Sequence, residues 1–466
     1  MQSMNCNEVL EAVNGILIAG NNFTEFSNIS ADSRTIEKDE LFIPIKGERF
    51  DGHDFIADAF KKGAAGTITH KDPQNIIEKN EELLFKDKTI IYVNDTKEAL
   101  FNIASYYRRK FSIPFIGITG SVGKTSTKNA IACILQQKYN VLKTPGNFNN
   151  DIGVPLTVFK LEPHHEAAVF EMGMSAEGEI RQLASIIKPD IGVITNIGIT
   201  HIEKLGSRQN ILKAKLEIIE SMDENGLLVL NGDDDLLYGL KDSLDKKVIY
   251  FGISNDVDYK AYNIKNAGEA GIYFDINIKG EKYNIHVPTP GMHNIYNILA
   301  GIIVGIEMGL SAEQVIEGVK NFKQDRMRLN IIEHNNVKII DDTYNASPQS
   351  MEAALRLLND INTNTRRIAV LGDMLELGDW AFASHYNIGK LAFLLGIDYI
   401  LAVGQYSQYL IKGAIESGAD FNKAKSFSSK EEAIPFLKNI LKEGDVVLIK
   451  GSRAMKMENV VSELTK

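Results

Sequence analysis

A glycine-rich turn between an apolar run and a helix-forming segment constrains this chain more than any other feature. The turn reads Gly120-Ser-Val-Gly-Lys-Thr-Ser126 and follows the apolar residues 115–118. Glycines let backbone N–H groups turn toward anionic oxygens, and the helix that follows points its positive end at them. Lys124 adds a full charge, and Thr125 can offer its hydroxyl group to Mg²⁺. The segment therefore predicts a strand, loop and helix that together bind a nucleoside triphosphate.

The turn departs from the usual phosphate-loop spacing by one residue. The pattern G-x-x-x-x-G-K-[ST] would place glycine at position 118, where this chain has Ile118. We interpret the segment as a shortened loop, T-G-x-x-G-K-T-S, because a strand precedes it and a helix follows it. A glycine turn with an incidental Gly-Lys-Thr is the weaker alternative. The residues predicted to contact the triphosphate are Gly120, Ser121, Val122, Gly123, Lys124, Thr125 and Ser126.

Length and charge exclude several classes of protein. A chain of 466 residues is longer than one domain with a single hydrophobic core usually is, so we expect roughly three domains. The 61 acidic residues outnumber the 51 basic ones, and without a basic tract no nucleic-acid partner is expected. Cys6 and Cys133 lie far apart in no metal-like spacing, which is typical of a reducing compartment. No secretory leader or membrane-length apolar run is visible, so we expect a cytoplasmic monomer without membrane insertion.

Strand and helix patterns divide the chain into three α/β domains. Residues 1–110 are typical of a small N-terminal α/β domain. In residues 111–325 apolar strands alternate with helices, which predicts a central P-loop domain with a mainly parallel sheet. Polar and apolar residues alternate over 257–287, which predicts antiparallel strands added to that sheet. Residues 326–466 predict a Rossmann-like, doubly wound third domain.

Polar side chains follow the predicted strands of the central domain. Glu171 and Asn196 each come directly after an apolar run, and His201 lies just beyond Asn196. Ligands bind at the carboxyl ends of open parallel sheets, where such side chains meet. Glu171 is therefore a predicted Mg²⁺ ligand together with Thr125, with a solvated strand-end acid as the alternative. His201 alone would be a structural histidine, whereas with Glu171 it can form part of a second cation site.

Two helical segments are ambiguous from their residues alone. Lys215 lies on the predicted helix 211–218, where a solvated lysine is the favoured interpretation. Addition of CO2 to its amine would instead give a carbamate anion that binds cations. Asn294 and Asn297 lie three apart on one helix face and can bracket an adenine edge, although surface asparagines are more common.

The third domain has two polar clusters that follow strands. Asp341-Asp-Thr-Tyr-Asn-Ala-Ser-Pro348 brings acid, hydroxyl, amide and phenol groups to one strand end. Lys450-Gly-Ser-Arg453 follows the last strand, and its lysine and arginine can grip a carboxylate. A capped turn is the alternative for each cluster.

In this order, these segments resemble the Mur ligase family of ATP-dependent enzymes, which build the peptide of the bacterial cell-wall precursor. The resemblance extends over essentially the whole chain. The segments that carry it are Ala31-Asp-Ser-Arg34, Lys46-Gly-Glu-Arg-Phe-Asp-Gly-His53, the phosphate loop, Gly146-Asn-Phe-Asn-Asn-Asp-Ile-Gly153, Glu171-Met-Gly173, Ala214-Lys-Leu-Glu217, Asp341-Asp-Thr-Tyr-Asn-Ala-Ser-Pro348, Leu371-Gly-Asp-Met-Leu-Glu-Leu-Gly378 and Lys450-Gly-Ser-Arg453. An ordered set over three domains is more specific than any single motif.

The resemblance implies a role for each domain. The first domain would hold the UDP part of a nucleotide sugar through Ser33, Arg34, Gly47, Arg49 and Asp51. In the central domain, Lys124, His201 and Lys215 would be catalytic. One Mg²⁺ would bind Thr125 and Glu171, and a second would bind His201 and a carbamylated Lys215. ATP would further contact Asn294 and Asn297 at adenine, Arg326 at the phosphates and Asp341 at the ribose. Other substrate contacts would be Asn150, Asp342, Tyr344, Asn345, Ser347, Lys450 and Arg453.

The resemblance also implies a reaction. Within the family the chain is most similar to ligases that join D-alanyl-D-alanine to UDP-N-acetylmuramoyl-tripeptide, with ATP activating the tripeptide carboxylate as an acyl phosphate. Ligases that add the third amino acid are the alternative, but the Asp-Asn-Pro-Arg segment of their diaminopimelate-adding members is absent. A folylpolyglutamate synthetase and a nucleotide-binding scaffold without catalysis are weaker alternatives. Ser347 stands where the family would have asparagine, and His385 is a further candidate near the dipeptide.

Overall fold

The protein folds into three α/β domains, and the computed structural model describes residues 1–47, 49–72, 86–361 and 365–466. The elements of the first domain are β1 (Met4–Asn5), α1 (Cys6–Val13), β2 (Ile16–Ala19), β3 (Glu25–Phe26), β4 (Ile29–Ser30), β5 (Leu41–Phe42), α2 (Ile56–Lys61), β6 (Gly66–Thr69), β7 (Thr89–Tyr92) and α3 (Thr96–Arg108). Five strands form a sheet in the order β2-β7-β6-β5-β4, in which β2 is antiparallel to β7 and the other pairs are parallel. β1 pairs with β3.

The central domain carries a seven-stranded parallel sheet. Its strands are β8 (Phe115–Thr119), β9 (Val141–Lys143), β10 (Ala167–Glu171), β11 (Ile191–Ile194), β12 (Leu227–Asn231), β13 (Lys247–Gly252) and β14 (Tyr259–Lys260), in the order β14-β13-β12-β11-β8-β10-β9. The helices are α4 (Lys124–Leu135), α5 (Gly153–Val158), α6 (Glu179–Ile187), α7 (Ile202–Leu205), α8 (Arg208–Leu216) and α9 (Asp235–Tyr238). β8 lies between β10 and β11, with Ile118 opposite Glu171 and Thr119 opposite Ile194. The phosphate loop therefore leaves the middle of the sheet beside two strand ends.

The antiparallel strands of this domain form a sheet of their own. They are β15 (Tyr262–Asn266), β16 (Ile272–Ile278) and β17 (Glu281–Val287). The prediction that they extend the parallel sheet is therefore wrong, because β14 occupies that edge in parallel with β13. The apolar face of β16, including Phe274, packs into the core that also buries α10 (His293–Glu307) and α11 (Ala312–Lys320).

The third domain is a six-stranded sheet covered on both faces. Its elements are β18 (Asn330–His334), β19 (Val337–Asp342), α12 (Pro348–Asp360), β20 (Arg367–Gly372), α13 (Ala381–Leu394), β21 (Tyr399–Val403), α14 (Ser407–Glu416), β22 (Ala424–Phe427), α15 (Lys430–Ile440), β23 (Val446–Lys450) and α16 (Glu458–Leu464). The order is β18-β19-β23-β20-β21-β22, and the pairs other than β18 with β19 are parallel. Neighbouring residues Ile339 and Ile340 lie in different apolar clusters, as expected for strands buried on both faces.

Contacts between the domains are partly apolar. Tyr107 of α3 packs beside Phe159 of the central domain and donates a hydrogen bond to the carbonyl oxygen of Leu161 at 2.7 Å. Ile199 packs against the cores of both the central and the third domain.

Short 3-10 turns lie at Gly52–Phe55, Glu217–Ser221, Gly268–Ala270, Gly378–Trp380 and Arg453–Met455. Within the described residues, no helix is long and apolar enough to cross a membrane. The domain boundaries after residues 110 and 325 stay predictions.

Candidate active site

A cavity of about 860 Å³ lies at the carboxyl ends of the central strands and reaches the third domain. The phosphate loop, Glu171 and His201 line it on the central side, while Tyr344 and Lys450 line it from the third domain. The cavity therefore brings together a large part of the residues predicted from two separate regions of the sequence.

The phosphate loop is held by the end of the neighbouring strand β11. Gly120 has φ of 147°, and a Cβ atom there would lie 1.9 Å from Oγ1 of Thr195, so only glycine fits. Asn196 accepts a hydrogen bond from the backbone N–H of Val122 at 3.1 Å, and Thr195 donates one to the Val122 carbonyl at 2.6 Å. Burial lowers the pKa of Lys124, although the charge of Glu171 opposes that shift. The loop is thus fixed before any ligand binds.

Glu171 is buried at the end of β10, where one of its carboxylate oxygens is hydrogen-bonded and the other is not. Oε1 accepts a hydrogen bond from Nδ2 of Asn149 at 2.7 Å. Oε2 is buried and has no hydrogen-bond partner among the described residues, and it lies 3.7 Å from Nζ of Lys128. The hydroxyl-bearing Thr125 lines the same cavity. A free carboxylate oxygen and a hydroxyl group suit Mg²⁺, which keeps several waters and substrate phosphate oxygens as its other ligands.

No cluster of three or more His, Cys, Asp and Glu side chains with metal-binding geometry occurs in the part of the chain that the structure describes. A Mg²⁺ site here would therefore draw many of its ligands from substrate and water. Glu171 and Thr125 fit that arrangement, because both line the cavity and Glu171 ends the strand that pairs with β8 just before the phosphate loop.

His201 reaches the cavity from the start of α7, where it has a left-handed backbone with φ of 63°. Its Nδ1 lies 2.5 Å from Oε2 of Glu376 in the third domain, as a close polar contact without good hydrogen-bond alignment. Carboxylates commonly orient histidines that bind metals through their other nitrogen. The pairing therefore leaves Nε2 as the nitrogen suited to a cation.

Lys215 is buried near the end of α8, so the interpretation as a solvated helix lysine is wrong. Burial lowers the pKa of its amine well below the usual value, and the charge of Lys124 acts in the same direction. Within the described residues, its Nζ enters no ion pair. In its unprotonated form the amine nitrogen can attack the carbon of CO2 and release a proton, and the resulting carbamate anion would compensate the nearby cations.

Asn294 and Asn297 are buried on α10, so their interpretation as surface asparagines is also wrong. Asn297 accepts a hydrogen bond from Thr127 and donates one to Asn294, each at 3.0 Å. Asn297 lines the cavity, together with two residues that the sequence did not single out, His293 and Tyr296. An imidazole and a phenol beside a carboxamide can hold a planar base. Their one sequence signal is that His293 lies three and four residues before Tyr296 and Asn297, which is helical spacing.

The region around Arg326 differs from expectation. Arg326 is exposed and is not among the described residues that line the cavity, whereas Arg328 is. Met327 between them has a left-handed backbone with φ of 62°, which turns the two arginines apart. The guanidinium group of Arg328 lies 4.2 Å from the ring centre of Tyr344. The structure thus brings Arg328, rather than Arg326, toward the phosphate side.

The two aspartates that end β19 point to different sides, as neighbouring residues of a strand do. Asp342 lines the cavity and forms a buried ion pair with Lys450. Asp341 accepts a hydrogen bond from the hydroxyl of Thr343 at 2.6 Å and is not among the described lining residues. The ribose contact of Asp341 stays a prediction.

The remaining predicted residues of the third domain fall into two groups. Tyr344, Asn345 and Ser347 line the cavity, and Ser347 also caps α12. Arg453 is exposed and pairs with Glu458 at 2.8 Å, outside the described lining. His385 is buried away from it, since Nε2 accepts from the backbone of Met374 at 2.9 Å and Nδ1 lies 2.7 Å from the carbonyl of Ala381. His385 therefore has a structural role.

The predicted residues of the first domain lie outside this cavity. Arg34 forms two hydrogen bonds to the carboxylate of Asp32, and Gly47 closes a turn through the carbonyl oxygen of Phe50. Ser33 is half-buried and Arg49 is exposed. Asp51 pairs with Lys71 at 2.8 Å and with His53 at 2.7 Å. Burial acts to raise the pKa of Asp51, but hydrogen bonds from these partners outweigh it and lower the pKa.

One first-domain residue does reach the cavity. Lys97, at the start of α3, lines it and pairs with Asp151 at 2.5 Å. The neighbouring Asn150 also lines the cavity and accepts a hydrogen bond from the backbone N–H of Gly153 at 2.8 Å. The segment from Asn149 to Asp151 therefore connects the first domain to the phosphate loop.

Comparison with known families assigns this architecture. Three family models match in succession: "Mur ligase family, catalytic domain" over residues 25–108, "Mur ligase middle domain" over 118–305 and "Mur ligase, glutamate ligase domain" over 327–453. The chain belongs to the Mur ligase family. In order along the chain, the three matched regions fall on the five-, seven- and six-stranded sheets of the three domains.

Individual members of the Mur ligase family are similar over nearly their full length. The UDP-N-acetylmuramoyl-tripeptide–D-alanyl-D-alanine ligase of Bacillus subtilis is 38% identical over 442 residues, which cover 95% of this chain and 93% of the relative. A crystal structure of MurF from Acinetobacter baumannii superposes with a TM-score of 0.91 at 30% identity, covering 100% and 99% of the two chains. MurF from Thermotoga maritima in complex with ADP gives a TM-score of 0.81 at 28% identity, covering 94% and 97%.

Proposed function

We propose that this Mur ligase joins D-alanyl-D-alanine to UDP-N-acetylmuramoyl-tripeptide with conversion of ATP into ADP and phosphate, acting as a cytoplasmic monomer. The observation that carries the proposal is the single cavity shared by the phosphate loop and the Asp342, Asn345 and Lys450 cluster of the third domain. One compartment can thus hold a nucleotide, a carboxylate and an amine together. The names of the full-length relatives supply the substrates.

The first step activates a carboxylate. A terminal carboxylate is a poor electrophile, so one of its oxygens attacks the γ-phosphorus of ATP and ADP leaves, giving an acyl phosphate. Negative charge gathers between the two anions, and Lys124 and Arg328 are the cavity cations that would stabilise it. Because Arg328 rather than Arg326 reaches the cavity, we assign the phosphate contact to Arg328.

The second step forms the amide bond. The amine nitrogen of D-alanyl-D-alanine attacks the acyl carbon, phosphate leaves, and the amine loses a proton. Asp342, Tyr344, Asn345, Ser347 and Lys450 are the residues we assign to the dipeptide. The buried pair of Lys450 and Asp342 fixes both charges, so the dipeptide carboxylate and its free amino group meet oriented partners. Exclusion of water between the two domains would protect the acyl phosphate from hydrolysis.

The cation sites belong to the same proposal. Thr125 and Glu171 would hold one Mg²⁺, because one carboxylate oxygen of Glu171 is free, and His201 with a carbamylated Lys215 would hold a second, because burial lowers the pKa of the Lys215 amine. Bound Mg²⁺ would supply charge stabilisation to the phosphate oxygens. Asn297, with His293 and Tyr296, would hold the adenine base.

The first domain would hold the UDP part of the nucleotide sugar. Ser33, Arg34, Gly47, Arg49 and Asp51 remain our assignment for that contact, because they follow β4 and β5, which are parallel neighbours in the sheet of that domain. Lys97 and Asn150 would then meet the muramoyl-peptide where it enters the cavity.

A substrate panel tests the proposed function. Phosphate release and formation of the UDP-linked pentapeptide, followed by mass spectrometry, are expected with ATP, UDP-N-acetylmuramoyl-tripeptide and D-alanyl-D-alanine together, and not when one is left out. Tripeptides with lysine or diaminopimelate at the third position are tested side by side. Equal turnover of UDP-N-acetylmuramoyl-dipeptide with free lysine or diaminopimelate would assign the protein to the alternative ligase and overturn the proposal.

A further inference from the structure

Lys128 is a buried lysine that the mechanism above leaves without a role. It lies on α4 four residues after Lys124, and its side chain is 2% exposed. Its Nζ donates a hydrogen bond to the carbonyl oxygen of Gly146 at 3.1 Å and lies 3.7 Å from Oε2 of Glu171. A buried ammonium group needs a compensating anion, and Glu171 is the carboxylate it contacts.

The same carboxylate is tied to the segment that carries Gly146. Oε1 of Glu171 accepts a hydrogen bond from Asn149, and the backbone N–H of Glu171 donates to Oγ1 of Thr144 at 2.9 Å. Lys128 and Glu171, which are both buried, are therefore tied by hydrogen bonds to Thr144, Gly146 and Asn149 beside the phosphate loop. The free oxygen of Glu171 faces the Lys128 ammonium group, although Glu171 is the residue assigned above to Mg²⁺.

Two cations cannot share this carboxylate oxygen at no cost. An ammonium group a few ångströms from a divalent ion repels it, and the repulsion is large where both are buried. ATP brings negatively charged phosphate oxygens to the loop next to Lys128, and these offset the repulsion. The Lys128 charge therefore disfavours binding of a divalent ion to Glu171 in the absence of nucleotide. Binding becomes favourable when the nucleotide phosphates are present.

We propose that Lys128 is a positioning residue that acts as a built-in counter-ion of Glu171, holds the carboxylate in place and makes divalent-cation binding depend on bound nucleotide. This deepens the proposed function, because it rests on Glu171 as a cation ligand. Lys128 also ties Gly146, and with it the segment that leads to Asn150, to the phosphate-binding helix. Occupancy of the nucleotide site is thereby linked to the segment that meets the muramoyl-peptide.

Titration with Mn²⁺ tests the proposal without any peptide substrate. Free Mn²⁺ is followed by electron paramagnetic resonance, with the full chain in the absence and presence of ADP. Lys128→Met removes the charge and keeps the length of the side chain. We expect it to bind Mn²⁺ about tenfold or more tightly than wild type without nucleotide, and to show a much smaller gain on adding ADP.

Two variants serve as controls. Lys128→Arg keeps the charge, and Lys143→Met removes a neighbouring charge whose Nζ bonds to Asn129 at 3.1 Å rather than to Glu171. Both are expected to stay within about threefold of wild type, since each retains the ammonium or guanidinium charge beside Glu171. Unchanged or weaker Mn²⁺ binding by a folded Lys128→Met protein overturns the proposal.

If Lys128→Met fails to fold, a second variant tests the counter-ion role of Lys128. If the defect is an uncompensated buried carboxylate, adding Glu171→Gln restores folding, as measured by circular dichroism and the melting temperature. A double variant that remains unfolded overturns the counter-ion role. The Mn²⁺ result is independent of the substrate panel, so failure of that panel alone would reject the proposed substrates and leave the role of Lys128 intact.

Discussion

His201 of the central domain, which lines the cavity, is in contact with Glu376 of the third domain, with Nδ1 of the histidine 2.5 Å from Oε2 of the glutamate. Both residues have left-handed backbones, with φ of 63° and 62°, a conformation that costs about 1 kcal/mol or more in a residue with a side chain. Surrounding contacts must offset that cost. Gly378, two residues after Glu376, packs closely against Glu203, because a Cβ atom at Gly378 would lie only 3.3 Å from the side chain of Glu203. The pair therefore joins the central and third domains at a residue that lines the cavity.

Glu376→Gln should lower kcat about tenfold while leaving the Kd for ADP within about threefold, because the glutamine cannot orient His201 as an anion does. Steady-state kinetics and calorimetry measure the two values. Asp379→Asn, in the same exposed loop, is the matched control and should keep wild-type kcat. A Glu376→Gln enzyme with wild-type kcat would show that the pair does not position the histidine.

Gly120→Ala should abolish tight nucleotide binding, raising the Kd for ADP at least about thirtyfold. The new methyl group would meet Oγ1 of Thr195, and φ of 147° is strained for alanine. Calorimetric titration with ADP measures the effect, and the melting temperature shows whether the domain remains folded. Wild-type affinity in a folded variant would contradict the geometry described for the phosphate loop.

Lys215→Ala should lose more than about 99% of activity, and added bicarbonate should not restore it, because no amine remains to form a carbamate. Lys213→Ala is the matched control two residues earlier on α8, where the lysine is exposed and pairs with Glu177 at 2.7 Å. Wild-type enzyme stripped of CO2 should regain activity on addition of bicarbonate. Full activity in Lys215→Ala would remove this lysine from the cation site.

His293 should make the protein less stable in mild acid. Burial lowers its pKa to about 4, whereas an unfolded histidine titrates near 6.5. Between these values the unfolded state binds a proton that the folded state does not, so stability that is complete above pH 6.5 falls as the pH decreases, by up to about 3 kcal/mol. Replacing His293 with asparagine should flatten this part of the free energy of unfolding measured with urea. If the free energy of unfolding changes with pH in the same way in both proteins, the lowered pKa of His293 is contradicted.

Local signals explain which parts of the fold the sequence predicts. β10 (Ala167–Glu171), β21 (Tyr399–Val403) and β23 (Val446–Lys450) are apolar almost throughout, and such runs predict buried strands of a parallel sheet. β9 and β22 are three and four residues long and partly exposed, so their composition carries little signal and they were not predicted. The separate antiparallel sheet depends on pairing between distant strands, which alternation alone does not specify.

The candidate site shows the same division. Residues at strand ends, such as Glu171, follow from the rule that parallel strands place their carboxyl ends together. Lys128 and Lys215 carry no such signal, because a lysine in a helix is normally solvated and only tertiary packing buries these two. Arg328 was missed for a local reason, since the left-handed Met327 decides which arginine faces the cavity.

Transfer of oxygen from substrate to phosphate tests the central claim most directly. The terminal carboxylate of UDP-N-acetylmuramoyl-tripeptide is labelled with ¹⁸O, and the enzyme is supplied with ATP and D-alanyl-D-alanine. If the cavity activates that carboxylate as an acyl phosphate, each amide bond formed releases one phosphate that carries one ¹⁸O atom from the peptide. Amide formation with unlabelled phosphate, or phosphate release without amide formation, would contradict the account.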